Sequence, residues 1–395
     1  MCLKNIQLTE YQAKYFDRDE IPVEAGIKLY EKYPAQVDVG FPNYRTRDQW
    51  CLKAKGWVGY IPLSSEIVIN INPKVSIKNL FGMLEYAYNL KSFRFLEGEV
   101  HCDSLAGFYN NLAYILAQKI LERCRKGLYR AYVPKTEQLT YVRGKLNVQR
   151  IIQKPWEVKL NCHYEENTAD IAENQILAWT LSIISHSGFC FENVSAIVRK
   201  AYHALQGLVT LQPYQPQYCI KQQYNRLNED YQILHYLCRF FLENTIPSHE
   251  KGKNATLPFL VNMDRLYELF IAEWLKVHLP SNFTLKFQER VNIVKNLYFK
   301  TDLVLYEAAT STPRYIIDTK YKTQDNPSSQ DIAQVVAYAV SKSCQEVILL
   351  YPTNLTYALD AVVGNIRVRS LTFALDHNLD VAGQTFLNDM LDDYQ

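Results

Sequence analysis

The hydrophobic and polar positions of the first hundred residues read mostly as strands. Trp57-Val58-Gly59-Tyr60-Ile61-Pro62-Leu63 and Glu66-Ile67-Val68-Ile69-Asn70-Ile71 are β-rich runs parted by Ser64-Ser65, which predicts two strands joined by a turn. Pro73 ends the second run, because it has no N–H to give to a ladder. Apolar residues then recur at helical spacing over residues 80–90, 105–124, 171–185 and 224–243. Residues 244–254 mix Pro, Gly, Ser and Asn with both charges, the composition of a linker. Beyond it the order becomes helix, three strands, helix, two strands. The pattern predicts an α/β chain (α+β overall) divided into residues 1–245 and 246–395, the second half carrying a mixed sheet flanked by helices.

Composition bounds this picture without changing it. With 395 residues, 48% hydrophobic and 21% charged, the chain can bury more than one core, and disorder is excluded. Its formal net charge is only +2, so nucleic-acid contact must come from local patches. The largest imbalance is in residues 101–150, where nine basic side chains face three acidic ones. Arg123, Arg130, Arg143 and Lys145 are among them. One reading is a solvated helix face followed by a polar loop; the other is a surface that meets phosphates or an acidic partner. The nine cysteines contain no C-x-x-C pair, which fits a reducing compartment. No apolar run approaches the ~18 residues that span a bilayer, and the first residues lack the apolar run of a signal peptide. A cytoplasmic, membrane-independent protein is expected.

Chemistry concentrates between residues 263 and 343. In Arg314-Tyr315-Ile316-Ile317-Asp318-Thr319-Lys320-Tyr321-Lys322, strand alternation puts Asp318 and Lys320 on one face. Alone, D-x-K is equally the mark of an ion pair on a solvated strand. Upstream, Leu297-Tyr298-Phe299-Lys300-Thr301-Asp302-Leu303-Val304-Leu305-Tyr306 is a second β-rich run, and the short polar gap from Glu307 to Pro313 predicts a hairpin or adjacent ribbon. Asp302 can then lie beside Asp318. Two close carboxylates repel unless a cation or proton sits between them, and hard oxygen ligands suit Mg²⁺. Asp302 could instead cap a turn. Residues 328–343 open with a capping-box-like Ser328-x-x-Asp331 and continue with apolar residues around most of the circumference, predicting a largely buried helix. Its narrow polar stripe carries Gln334 and Tyr338, facing either water or the metal site. An earlier helix, residues 263–277, holds Glu268 among Leu266, Tyr267, Leu269 and Phe270, as a solvent-facing position or a further ligand.

Helix with Glu, strand with Asp, D-x-K, then helix with Q-x-x-x-Y resembles the PD-(D/E)xK nuclease superfamily, with Thr301 in place of the proline. The resemblance implies a restriction-endonuclease-like domain in which Asp302, Asp318 and Glu268 bind Mg²⁺, Lys320 helps activate water and Gln334 supports the site. The replaced proline has no chemical role there. Gly59-Tyr60-Ile61, Ile71-Asn72-Pro73-Lys74, Arg143-Gly144-Lys145-Leu146, Tyr164 to Asp170 and Glu173-Asn174-Gln175-Ile176-Leu177 further resemble the McrC family, the nuclease subunits of modification-dependent restriction systems. That implies a separate McrB-like AAA+ GTPase hexamer whose channel receives the N-terminal region, and double-stranded DNA bearing a modified cytosine such as 5-methylcytosine. The chain has no G-x-x-x-x-G-K-[ST], so GTP would be bound by the partner. Arg123, Arg130, Arg143 or Lys145 would then serve that interface. A non-cleaving GTPase-activating adaptor and a stand-alone nuclease are the other expectations the motifs allow.

Overall fold

The computed structural model describes residues 4–64, 66–90, 104–187, 189–245, 257–294, 297–322, 325–376 and 378–392. Strands β1 (Lys4–Thr9), β2 (Ala13–Phe16), β3 (Val37–Gly40), β4 (Trp50–Ala54), β5 (Trp57–Pro62) and β6 (Ile67–Asn72) alternate with helices α1 (Val23–Lys32) and α2 (Ile77–Ala87). The expected pair β5–β6 is antiparallel, with Gly59 opposite Ile71, and Pro73 follows its last residue. β1 adds to β6 in parallel, while β2, β4 and β3 form a separate antiparallel sheet. Ser76 caps α2 by accepting from the Asn79 N–H at 3.3 Å.

The next segment is mainly helical: α3 (Leu105–Lys126), α4 (Val148–Gln153), α5 (Ala172–His186), α6 (Glu192–Leu205) and α7 (Tyr231–Asn244). Between them run β7 (Ala131–Leu139), β8 (Lys145–Leu146) and β9 (Leu160–Thr168). The expected polar loop after α3 is therefore a ribbon: β7 pairs with β9 over nine positions, from Ala131 opposite Thr168 to Leu139 opposite Leu160. Few apolar residues mark β7, none of whose positions is buried, so its strand is not evident from the hydrophobic pattern. Helix α6 was not anticipated, and α7 starts at Tyr231 instead of residue 224.

The chain continues with β10 (Phe259–Asn262), α8 (Met263–His278), β11 (Phe283–Phe287), β12 (Arg290–Val294), β13 (Leu297–Lys300), β14 (Leu303–Glu307) and β15 (Pro313–Thr319). It closes with α9 (Ser329–Lys342), β16 (Glu346–Tyr351), β17 (Asp360–Val363), β18 (Ile366–Thr372) and α10 (Leu379–Leu391). Six strands form one mixed sheet in the order β11-β14-β15-β16-β18-β17. Strands β15, β16 and β18 are parallel and the outer ones antiparallel. A parallel neighbour needs a crossover, which α9 supplies between β15 and β16. It covers a core that includes Val304, Ile316, Val335, Ala339, Cys344, Val347 and Val368. This is the mixed sheet with flanking helices expected for the second half.

The compact units differ from the expected division at 245/246. Residues 1–105 and 258–395 form one, and residues 106–257 the other. The reason is hydrogen bonding: β10 pairs antiparallel with β5, Phe259 opposite Tyr60, and α8 packs on α2. Most of the expected linker, residues 246–254, lies outside the described residues. Gly59 makes the β5–β10 pairing possible. Its φ is +144°, and a Cβ there would collide with the Phe259 carbonyl oxygen. Gly59→Ala is therefore expected to destabilise this unit by about 2 kcal/mol or more. Gly207→Ala, at φ +78° with open space around it, should cost about 1 kcal/mol. Melting temperatures check the pair; equal losses would refute the role of the close approach.

Candidate functional site

The β14–β15 hairpin builds the centre. Leu303 faces Ile317 across the antiparallel ladder, so Asp302 and Asp318 are the next residues opposite one another. The expected single strand over 297–306 is broken at Thr301-Asp302 into β13 and β14. Buried Thr301 pins that break, its N–H and hydroxyl both donating to the Glu289 carbonyl at 3.1 and 3.2 Å. A proline could supply neither bond, so Thr301 holds the backbone at the place where the superfamily's name has a proline. Asp302 is held in turn: its Oδ2 accepts from the Thr319 N–H at 2.8 Å and the Thr319 hydroxyl at 2.9 Å.

Asp318 is only 2% exposed, on a strand covered on both sides. Lys320 lies just past the end of β15, with Nζ 2.6 Å from Asp318 Oδ2. The same Nζ is 3.3 Å from both Asp331 Oδ1 and Gln334 Oε1. Gln334 Nε2 donates to the Tyr338 hydroxyl at 2.5 Å. The polar stripe of α9 thus faces the site. The helix is less buried than expected, since Ala333 and Val340 lie open. From α8, half-buried Glu268 joins the cluster, its Oε1 accepting from Gln288 Nε2 at 3.0 Å. Asp302, Asp318, Lys320 and Gln334 come together, and Glu268 lies close enough to Asp302 for their charges to interact.

Three contributors were missed: Thr319, Gln288 and Asp331. The Ser328-x-x-Asp331 pattern was visible as a cap, and the cap is there: Ser328 Oγ accepts from the Asp331 N–H and donates to its Oδ2. That leaves Oδ1 for Lys320 and Lys322, each at 3.3 Å. Only the hairpin's register could have revealed the second use.

Electrostatics explain the cluster. Burial, then repulsion by Asp302, pushes the Asp318 and Glu268 carboxyls up to about 7. Burial also raises Asp302, against the two Thr319 bonds. Burial works to lower Lys320, but Asp318 and Asp331 together raise it. Asp331 stays below the usual range despite burial, held by Ser328, Lys320 and Lys322. Negative charge in the centre is thus incompletely compensated. Asp318 Oδ2 makes no well-directed hydrogen bond among the described residues, its contact with Lys320 being an ion pair only. A buried carboxylate oxygen left without a directed bond, beside a second carboxylate, is a hard donor set of the kind that suits a divalent cation such as Mg²⁺, which is commonly held by one or two carboxylates plus waters and phosphate oxygens. Among the described residues no three His, Cys, Asp or Glu side chains converge closely enough to hold an ion unaided.

The basic candidates lie in the other unit, and the three arginines are occupied locally. Arg123 bonds Asp230 and the Leu227 carbonyl at 3.3 Å, and Arg130 bonds Asn167 through Nε at 2.9 Å. Arg143 lies 3.9 Å over the Tyr164 ring and 3.7 Å from Glu166. Lys145 is exposed on β8. Gly144, at φ +69°, lets that strand come against β9, where a Cβ would strike the His163 carbonyl.

The McrBC 5-methylcytosine restriction system component family matches residues 52–352. The chain belongs to this family. It is 26% identical over 222 residues to the type IV methyl-directed restriction enzyme EcoKMcrBC of Escherichia coli (strain K12), a match covering 53% of the chain. It spans 61% of the length of that curated relative. Its fold is similar to that of a chain in a solved half-complex of Thermococcus gammatolerans McrB AAA+ hexamers with bound McrC. The TM-score is 0.56 at 18% identity, over 98% of this chain and 100% of that one. The McrBC match agrees with the family that the motifs resemble. Among the described residues no helix is long and apolar enough to cross a membrane.

The raised carboxyls make stability depend on pH. Folded Asp318 and Glu268 keep protons up to about 7, whereas the unfolded side chains lose them near the ordinary value of about 4. Their stabilising share is complete below about pH 4 and is lost as pH rises through about 7. In chelator-treated buffer, the melting temperature of Asp318→Asn relative to wild type is expected to be higher at pH 8 than at pH 5.5. An offset independent of pH would show that Asp318 ionises normally.

Proposed function

We propose that this McrBC-family chain is the endonuclease subunit of a modification-dependent restriction complex, hydrolysing DNA phosphodiester bonds with Mg²⁺. The observation that carries the reading is the convergence of Asp302, Asp318, Glu268, Lys320 and Gln334 at one end of a mixed sheet. Asp302 and Asp318 would hold the ion, with Glu268 assisting. A bound Mg²⁺ supplies stabilisation of phosphate charge and a more acidic water. Lys320, held among Asp318, Asp331 and Gln334, would orient that water or neutralise charge developing on phosphorus. Gln334, tied to Tyr338, keeps its carbonyl oxygen turned toward the lysine.

Recognition and energy would come from a separate subunit. The sequence has no phosphate-binding G-x-x-x-x-G-K-[ST] loop, and the relatives above are methyl-directed and McrB-associated. The partner is accordingly a McrB-like AAA+ GTPase hexamer, the substrate double-stranded DNA carrying modified cytosine, and the compartment the cytoplasm. Lys145 is the basic candidate best placed to meet that partner, because Arg123, Arg130 and Arg143 already hold their own unit together.

Purified chain, its genomic-neighbour GTPase, cytosine-methylated plasmid, GTP and Mg²⁺ should together yield cleavage. Asp318→Ala should reduce it at least ~1000-fold while GTP turnover by the complex persists. Retained cleavage in that variant would refute the site. Stimulated GTP turnover without cleavage by wild type would instead establish a non-cleaving adaptor.

A further inference from the structure

Next to the carboxylate cluster lies a second buried polar group, which the proposed chemistry does not use. Glu10, immediately after β1, is 1% exposed. Its backbone is fixed by a 3.2 Å bond to the Asn72 carbonyl and by a bridge to Ala54. Its Oε2 accepts from the Lys74 N–H at 3.0 Å and from the Tyr321 hydroxyl at 3.2 Å. A buried carboxylate is expensive, and an apolar side chain would fill this place more cheaply. What Glu10 adds is a directed bond from the N-terminal sheet to the residue that follows Lys320.

That residue is well chosen. After β15 the chain leaves the ladder, with the Lys320 N–H on the Leu350 carbonyl at 2.8 Å and the Lys322 N–H on the Lys320 carbonyl at 2.7 Å. Adjacent side chains then diverge. Lys320 reaches the carboxylates, while the Tyr321 ring is fully buried, 5.9 Å from Tyr267 of α8 and 4.1 Å beneath Lys74 Nζ. The two clusters also share charge: Lys74, Lys322 and Lys320 all act on Asp264, one helical turn before Glu268.

We propose that Glu10 is a positioning residue for Lys320, acting through Tyr321, so that the N-terminal sheet completes the cleavage site. The direction of the Lys320 ammonium depends on where its backbone turns, and the buried tyrosine fixes that turn from the far side. The kinetic part of this inference rests on the nuclease reading; the positional part does not.

The test uses the full chain with its GTPase partner and the variants Tyr321→Phe, Glu10→Gln and Glu10→Ala. Phenylalanine keeps the ring and the packing, so loss of fold does not obscure the result. Glutamine keeps an acceptor for the tyrosine. Acetylation of Lys320 by an amine-reactive ester is followed by peptide mass spectrometry, with half-exposed Lys322 as the internal reference. The Lys320/Lys322 rate ratio is expected to rise about threefold in Tyr321→Phe and Glu10→Ala, and to stay near wild type in Glu10→Gln. For methylated plasmid, kcat should fall about tenfold in Tyr321→Phe with KM within about twofold, and recover in Glu10→Gln. An unchanged acetylation ratio in folded Tyr321→Phe overturns the inference. Absent cleavage by wild type overturns the nuclease reading instead, and the acetylation ratio still decides the positioning.

Discussion

Placing two carboxylates opposite one another at the end of a buried hairpin is the constraint on which the site depends. The β14–β15 register leaves Asp302 and Asp318 no freedom to separate, and burial removes the water that would screen them. The neighbouring features answer that repulsion. Thr319 spends its N–H and its hydroxyl on Asp302, and Lys320 brings its charge to Asp318. Protons fill what remains, which is why two carboxyls stay protonated to about pH 7. Two carboxylates so arranged are stable only while protons or a cation offset their charge.

The chain path follows from the same region. β10 hydrogen-bonds to β5 and passes directly into α8, which carries both Asp264 and Glu268. Residues distant in sequence thus fix where α8 begins. Met263 reinforces this, its N–H donating to the Gly56 carbonyl at 2.9 Å. The segment 106–257 is inserted between two pieces of one unit, so a long helical insertion separates β5 from its partner without weakening the pairing. Loop-closure entropy grows only slowly with length, which makes such an insertion tolerable.

How much of this was legible depended on whether the physics was local. The D-x-K pair, the Ser328 cap and the helices α8 and α9 rest on local signals, and each lies close to where the sequence puts it, though Lys320 falls just past the strand end and α9 is less buried than its apolar content suggests. The approach of Asp302 to Asp318 was also readable, because only seven residues, Glu307 to Pro313, separate the two β-rich runs. Tertiary partners were not readable. β10 is four residues long and gives no sign that it joins a strand two hundred positions earlier, so the boundary was drawn at the polar linker instead. β7 escaped because a strand without a buried position lacks the apolar alternation that marks a half-buried strand, and β9 shows that alternation only at Cys162 and Tyr164. Thr301 looked like a neutral replacement because its two bonds go to a carbonyl twelve residues away.

The segments that most resemble the McrC family divide by physical role. Gly59 and Gly144 occupy left-handed or crowded backbone where any Cβ would strike a carbonyl. Asn174 is wholly buried, its amide donating to the Tyr129 and Ala169 carbonyls while its oxygen accepts from the Tyr231 hydroxyl. Three bonds from one buried amide tie three chain segments together at once. These are positions that hold a fold. Arg143 belongs with them, since its guanidinium stacks on Tyr164 and pairs with Glu166. A side chain already committed twice within its own unit must break those contacts to reach another protein's phosphate, whereas exposed Lys145, two residues on, need break none that the described residues record. Motif membership alone therefore points to the ribbon; the hydrogen bonds decide which of its cations is available for a partner.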